Sequence, residues 1–208
     1  MLLVLRHAES EWNLPPKRCQ GQLDAPLSEA GRAAARELGQ HLALPDAAYS
    51  SHLSRARETA ALLLESASRR HGREPPEIRE DRRLAEAFCG EWEGLPLDEV
   101  RRRWPAEWEE LGREDRAFAF PGGEALSEVL ARFATALEEV GAHHRGQSVL
   151  VVAHGGPMRL FLAAGRGGGP LAPGGPPGNL EGFVVDDAGG TTPYGAMPTS
   201  AAGMASKV

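Results

Sequence analysis

Cysteine is scarce, with Cys19 and Cys89 the two that the 208 residues contain. Two such residues build no disulfide framework and no CxxC metal pair, so they read as free thiols. Long hydrophobic runs are missing as well. No apolar stretch approaches the roughly 20 residues needed to span a bilayer, so no membrane partner is expected. Residues 1–5 are apolar but short and lack a basic lead-in, which is not the pattern of a secretory signal. The cytoplasm is the default location. An excess of positive charge is lacking too. The net charge is -6 at pH 7, which disfavours a nucleic-acid partner. Internal repeats are absent.

What is present is an ordinary globular composition, 41% hydrophobic and 25% charged. The length suits one domain with a real core. Residues 2–5 form an apolar run that reads as a short buried strand. A polar, proline-containing loop follows over residues 8–26. Ser28 is a suitable N-cap for an alanine-rich helix over 29–43, which Pro45 ends. Residues 47–50 read as a strand. The segment 54–70 reads as a helix with Ala60, Leu63 and Leu64 on one face. An extended segment over 77–84 leads to a loop over 85–96, rich in glycine, tryptophan and acid. Two short helices fill 97–111, interrupted at Pro105. The longest helix is expected over about 124–144, where Leu126, Val129, Leu130, Phe133, Leu137 and Val140 recur at threes and fours. Residues 148–153 read as a central buried strand, and a helix restarts near 157. The tract 165–180 is mostly glycine and proline and forms no helix. Residues 181–186 look like a last strand at an edge. The alternation predicts an α/β fold, a three-layer α/β/α sandwich with a mostly parallel sheet. Residues 1–187 form its single domain. Residues 188–208 are expected to be a flexible tail.

Two of these strands end on residues that packing would not select. The first stops at Arg6-His7 and the central one at His154. In open α/β sheets the carboxyl ends of the strands are where ligands bind. Arg55 stands at the start of the helix after the second strand, where the helix N-terminus adds its own attraction for an anion. Glu86 lies in a loop. Phosphoryl transfer to a histidine needs a neutral imidazole nitrogen, arginine forks for the phosphoryl oxygens and a general acid for the leaving alkoxide. His7, Arg6, Arg55, His154 and Glu86 supply those types together. A metal site on His7 and His154 is a poor alternative, because no carboxylate stands at a ligand spacing from either.

The residues also carry a resemblance. The blocks are Arg6-His7-Ala8-Glu9-Ser10-Glu11-Trp12-Asn13, Gln20-Gly21 through Asp24, and Pro26-Leu27-Ser28-Glu29-Ala30-Gly31. They continue with Tyr49-Ser50-Ser51, Leu53-Ser54-Arg55-Ala56, Glu86 with Gly90-Glu91-Trp92-Glu93-Gly94, Pro121-Gly122-Gly123-Glu124, and Val152-Ala153-His154-Gly155-Gly156. In order and spacing, from residue 2 to about 163, they resemble the histidine phosphatase superfamily, in its phosphoglycerate-mutase-like branch. The resemblance implies that His7 is the phosphorylated nucleophile. It implies that Arg6, Asn13, Arg55 and His154 bind the phosphoryl group and that Glu86 is the general acid and base. No cofactor and no metal are implied. The implied partner is a small-molecule phosphate ester, and a homodimer is compatible with the pattern. Two departures stand out. Ala8 replaces the glycine common after the histidine, and the Gly/Pro tract 165–180 replaces a longer helical segment and an apolar hairpin.

The leading expectation is a phosphomonoesterase acting on a small metabolite through phosphohistidine. A 2,3-bisphosphoglycerate-dependent mutase is the first alternative, against which the chain between Glu86 and Pro121 is short. A catalytically inactive phosphate-binding protein on the same fold is the second. Residues 85–123 are expected to cover the site. Trp12, Phe88, Trp92, Trp104, Trp108, Phe118 and Phe120 read mostly as core, with Trp104, Trp108, Phe118 and Phe120 also candidates for lining a substrate pocket. Arg101-Arg102-Arg103 reads as a solvated helix face rather than a phosphate contact.

Overall fold

A computed structural model of the chain describes residues 1–113, 117–165 and 176–195. The sheet grows from β1 (Leu2–Arg6), whose alternate side chains are apolar on both faces. Such a strand is stable when helices cover both sides. α1 (Glu29–His41) follows, capped by the Ser28 hydroxyl, which accepts from the Gly31 amide at 2.9 Å. β2 (Ala47–Ser50), α2 (Ser54–His71) and β3 (Ile78–Glu80) come next. After them are α3 (Leu97–Arg103), α4 (Pro105–Arg113) and α5 (Leu126–His143). β4 (Val149–Ala153), α6 (Gly155–Gly165), β5 (Gly182–Val185) and β6 (Thr191–Tyr194) complete the order.

The strand order is β3-β2-β4-β1-β5-β6. The first four strands run parallel, and β5 and β6 are antiparallel additions. The expected three-layer sandwich is therefore present. Leu2, Val4, Val149 and Val151 pack with α5 and α6 through Phe133, Leu137, Val140 and Met158. Leu5, Ala48, Leu150 and Val152 pack on the other face, against Leu38 of α1 and Ala60, Leu63 and Leu64 of α2. The period of two in the strands and the threes and fours in the helices divide the core as the sequence pattern demands. α1 and α2 approach closely at Gly39, where a Cβ would stand 2.6 Å from the Leu63 carbonyl oxygen.

β4 enters the sheet between β2 and β1, and the helices that follow the neighbouring strands β1 and β4 lie on opposite faces, α1 on one and α6 on the other. That is a topological switch point, and ligand crevices open there. The register sets Arg6 beside Ala153 and Ser50 beside Val152. His7, Ser51 and His154 thus emerge at one sheet edge.

Three expectations change. Residues 181–186 are not the edge strand, because β6 pairs beyond β5, with Val185 opposite Thr191. The expected tail from 188 is likewise corrected over its first part. Asp186 accepts from the amides of Ala188 and Gly190 and folds a tight turn, which returns the chain into the sheet. The Asx-type turn supplies what the small polar residues of β6 do not advertise. Residues 196–208 lie outside the described residues. Part of 165–180 is also corrected: Gly165 closes α6, and 176–180 is tied to β1. Residues 166–175 of that tract lie outside the described residues.

The segment 85–123 has its own small core. Trp92 is buried, with Trp104, Trp108, Phe118 and Phe120 around it at ring distances of 5.4–6.3 Å. Cys89 is buried in this cluster and Cys19 packs against it, both as free thiols. These aromatics bury one another, which accounts for their presence without a ligand. Arg101 lies over the Trp108 ring and Arg103 over the Trp104 ring, at 5.1 and 4.4 Å. The arginine run therefore dresses its own helices, as a solvated face does.

Candidate active site

His7 follows the last residue of β1 and is only 2% exposed. Its amide donates to the Ala153 carbonyl at 2.9 Å, which carries the β1–β4 pairing one residue past the strand. Its ring Nδ1 lies 2.7 Å from the Ala8 carbonyl oxygen. A carbonyl can only accept, so Nδ1 holds the proton and Nε2 holds the lone pair. Burial pushes the His7 pKa well below its usual value, and Arg55 and Arg6 push it in the same direction. The ring is neutral at physiological pH, with a free nucleophilic nitrogen.

Ala8 fits without strain. Leu180 is the one non-glycine residue with positive φ among the described residues, so Ala8 has an ordinary backbone. Its side chain is buried with Leu27, Ala35 and Leu62, and its amide donates to the Thr59 hydroxyl at 3.0 Å. The glycine-to-alanine departure leaves the support of His7 intact.

His154 stands across from His7, their ring centroids 5.1 Å apart. It is completely buried, and neither ring nitrogen has a hydrogen-bond partner. Burial and the neighbouring Arg55 also hold its pKa well below the usual value.

Arg55 sits in the first turn of α2 and is fully buried. Its Nη1 and Nη2 each donate at 2.7 Å, to the Leu23 and Gly21 carbonyls. Asp24 caps the same helix by accepting from the Ser54 amide at 2.8 Å. The loop 20–24 therefore aims the guanidinium, and Glu93 anchors that loop through the Gln22 amide. Arg6 is held at Nη1 by the Pro177 carbonyl at 2.8 Å. The Nε groups of both arginines are buried without a partner. Burial lowers the pKa of each. A buried cation is costly without an anion, and here the buried Arg55 is joined by the half-buried Arg6.

Glu86 is half-buried in the loop after β3. Its carboxylate accepts from the Gly156 amide at 3.2 Å, at the start of α6, and from the Ala87 amide at 2.9 Å. A Cβ on residue 156 would press against a carboxylate oxygen and would displace this side chain. Its main-chain carbonyl accepts from Arg132 and Gln22, at 2.9 and 3.1 Å. Arg132 also ties the Arg83 and Ala85 carbonyls and pairs with Glu124. It builds the acidic loop from α5, a role the sequence pattern did not flag. Asn13 closes a short helical turn, where its Oδ1 accepts from the Ser10 amide at 2.9 Å.

All six predicted residues thus gather at the carboxyl ends of β1, β2 and β4. The arrangement combines two neutral imidazoles, two fixed guanidinium groups and a carboxylate. Among the described residues no cluster of histidine, cysteine and carboxylates suits a metal ion. The set matches the needs of a phosphoryl group in chemistry and in place.

The sequence model of the histidine phosphatase superfamily (branch 1) matches residues 2–174. The chain belongs to that superfamily. Phosphoserine phosphatase 1 of Hydrogenobacter thermophilus is 38% identical over 165 residues, 78% of this chain and 74% of that protein. The 2,3-bisphosphoglycerate-dependent phosphoglycerate mutase of a Methylobacterium species is 36% identical over 168 residues, 78% of each chain. The solved structure of Bacillus stearothermophilus YhfR superposes with a TM-score of 0.78 at 32% identity, covering 92% of this chain and 94% of that one. As a superfamily member with both phosphatase and mutase relatives, the chain is an enzyme of phosphoryl chemistry. The missed contributors Asn179 and Pro177 lie in the glycine- and proline-rich tract, where composition signals only a loop.

Proposed function

We propose that the chain is a phosphomonoesterase that hydrolyses a small phosphorylated metabolite through a phosphohistidine on His7. The observation that carries this reading is the His7 ring. Its Nδ1–H is committed to the Ala8 carbonyl, and Nε2 is left near the buried Arg55 and the half-buried Arg6. In the first half-reaction, Nε2 attacks phosphorus. The P–O bond to the leaving group breaks, and Glu86 gives its proton to the departing alkoxide. Arg6, Arg55, His154 and the Asn13 amide hold the phosphoryl oxygens, whose charge spreads in the transition state. In the second half-reaction, Glu86 takes a proton from water. The water oxygen bonds to phosphorus as the P–N bond breaks, the bond's electrons return to Nε2, and phosphate leaves with His7 neutral again.

The phosphatase side is favoured over the mutase because two of the arginines between Glu86 and Pro121, Arg101 and Arg103, are spent on their own helices. Arg101 and Arg103 stack on tryptophans, and Arg103 also pairs with Glu99. The phosphoserine phosphatase relative points the same way.

The test is a panel of phosphomonoesters that includes phosphoserine and 3-phosphoglycerate, the latter with and without a trace of bisphosphoglycerate. Phosphate release that His7→Ala lowers by about a thousandfold or more is the expected outcome. Isomerisation of 3-phosphoglycerate faster than phosphate release makes the protein a mutase. Release that His7→Ala leaves unchanged removes the phosphohistidine.

A further inference from the structure

The segment 176–181 leads into β5 by way of the site, and three of its residues are bonded to Arg6 of β1. Pro177 accepts from the Arg6 side chain at 2.8 Å. The Leu180 amide donates to the Arg6 carbonyl at 3.1 Å, and the Arg6 amide donates to the Glu181 carbonyl at 2.9 Å. Leu180 adopts φ 61, a left-handed backbone that a leucine adopts at a cost. Between these anchors the Asn179 side chain points inward. Its Nδ2 donates to the His7 carbonyl at 2.9 Å and lies 3.4 Å from the Asn13 Oδ1.

The atom assignments follow from the partners. The His7 carbonyl can only accept, so the facing atom of Asn179 is its nitrogen. The Ser10 amide can only donate, so the atom of Asn13 that faces it is oxygen. Asn179 approaches that same oxygen. The Asn13 Oδ1 thus accepts from the Ser10 amide and hydroxyl, at 2.9 and 3.1 Å, and from Asn179 on its other side, and Nδ2 is its donor. At His7 the accounting is equally complete. The amide goes to Ala153, the carbonyl to Asn179 and Nδ1 to Ala8, which leaves Nε2.

We propose that Asn179 is a positioning residue for phosphoryl transfer, fixing the His7 main chain and turning the Asn13 amide nitrogen toward the phosphoryl oxygens. The inference rests on the phosphatase reading. Asn179 touches no reacting atom. It acts through His7 and Asn13, where small errors of placement are costly in rate.

A double-mutant cycle tests it: wild type, Asn13→Ala, Asn179→Ala and the pair, measured for kcat, KM and Tm with p-nitrophenyl phosphate. Each single change is expected to lower kcat by about tenfold or more, with a smaller effect on KM. The pair is expected to be much less impaired than the product of the two singles, because Asn179 works partly through Asn13. Asn179→Asp adds a readout that a purely structural role would not move. Its carboxylate cannot donate to two oxygens, and its protonated form can donate to one. Its activity relative to wild type should therefore recover as pH falls toward the carboxyl range near 4. Should Asn179→Ala fail to fold, Asn179→Ser keeps a short donor and takes its place in the cycle. Multiplicative losses, or a lowered Tm with unchanged kcat, overturn the proposal and leave the phosphatase reading standing. A wild type with no phosphate release from any ester overturns both.

Discussion

Glu86 is the residue whose proposed task divides most sharply between the two half-reactions. In the first it protonates the leaving oxygen, and in the second it deprotonates water. A nitrophenolate leaves readily without a proton, whereas an alkoxide does not. Glu86→Gln keeps the shape of the side chain and removes both proton transfers. With an alkyl phosphate, kcat should fall by about a hundredfold to ten-thousandfold, the usual scale of general acid–base catalysis. With p-nitrophenyl phosphate, the first half-reaction survives and the second stalls. Rapid mixing should therefore show a burst of nitrophenol close to one per active site, followed by slow turnover. An equal loss for both esters with no burst would remove Glu86 from these roles. The Gly156 amide and the Arg132 contacts hold the loop in either variant, so the comparison isolates proton transfer from placement.

Elements differ in how plainly their residues announced them. β1, β4 and α5 are driven by burial on regular periods, and their extents match the pattern to within two residues. The histidines and arginines at the strand ends were legible because buried strands do not otherwise end that way. β6 was not legible. Thr191, Thr192, Pro193 and Tyr194 are mostly exposed, and the strand exists because Asp186 folds the turn before it and β5 offers a free edge. Asn179 was hidden for a related reason: its contacts are tertiary, and a loop composition does not encode its partner. If β6 is a working strand, removing residues 188–208 strips β5 of its outer neighbour. The lost ladder bonds are worth about 1 kcal/mol each, partly regained by water. A net loss of about 2 kcal/mol corresponds to a Tm lower by about 4–8 °C for a chain of this size. Calorimetry of the shortened protein checks this. The catalytic constants should stay within about twofold, because the site contacts run through residues 176–181 and not through β6. An unchanged Tm would make β6 an ornament of the sheet.

The whole molecule folds around two histidines that it keeps neutral. His7 and His154 are both buried, and burial is the main cause that holds their pKa values well below 6.5, with Arg55 next in each case. In the unfolded chain both imidazoles titrate near 6.5. Above that pH neither state carries the extra protons. As the pH falls below 6.5, the unfolded chain binds up to two protons that the native state refuses. Stability is then lost as the pH falls, by about 1.4 kcal/mol per pH unit for each histidine while the native state stays neutral. His52, also shifted down, adds a smaller contribution of the same sign. The paired carboxylates Asp46, Asp81 and Glu124 are shifted down as well, and theirs is stability lost only nearer pH 4. The window from pH 6.5 to 5 therefore belongs to the histidines. Urea unfolding at pH 7.5, 6.5, 5.5 and 5.0 should show a flat region and then a steep decline. In the double variant His7→Gln with His154→Gln the decline should be much shallower across that window, whatever the variant's stability at pH 7.5. A decline of the same slope in both proteins would mean that other groups carry the acid lability, and that the two rings accept protons inside the folded site.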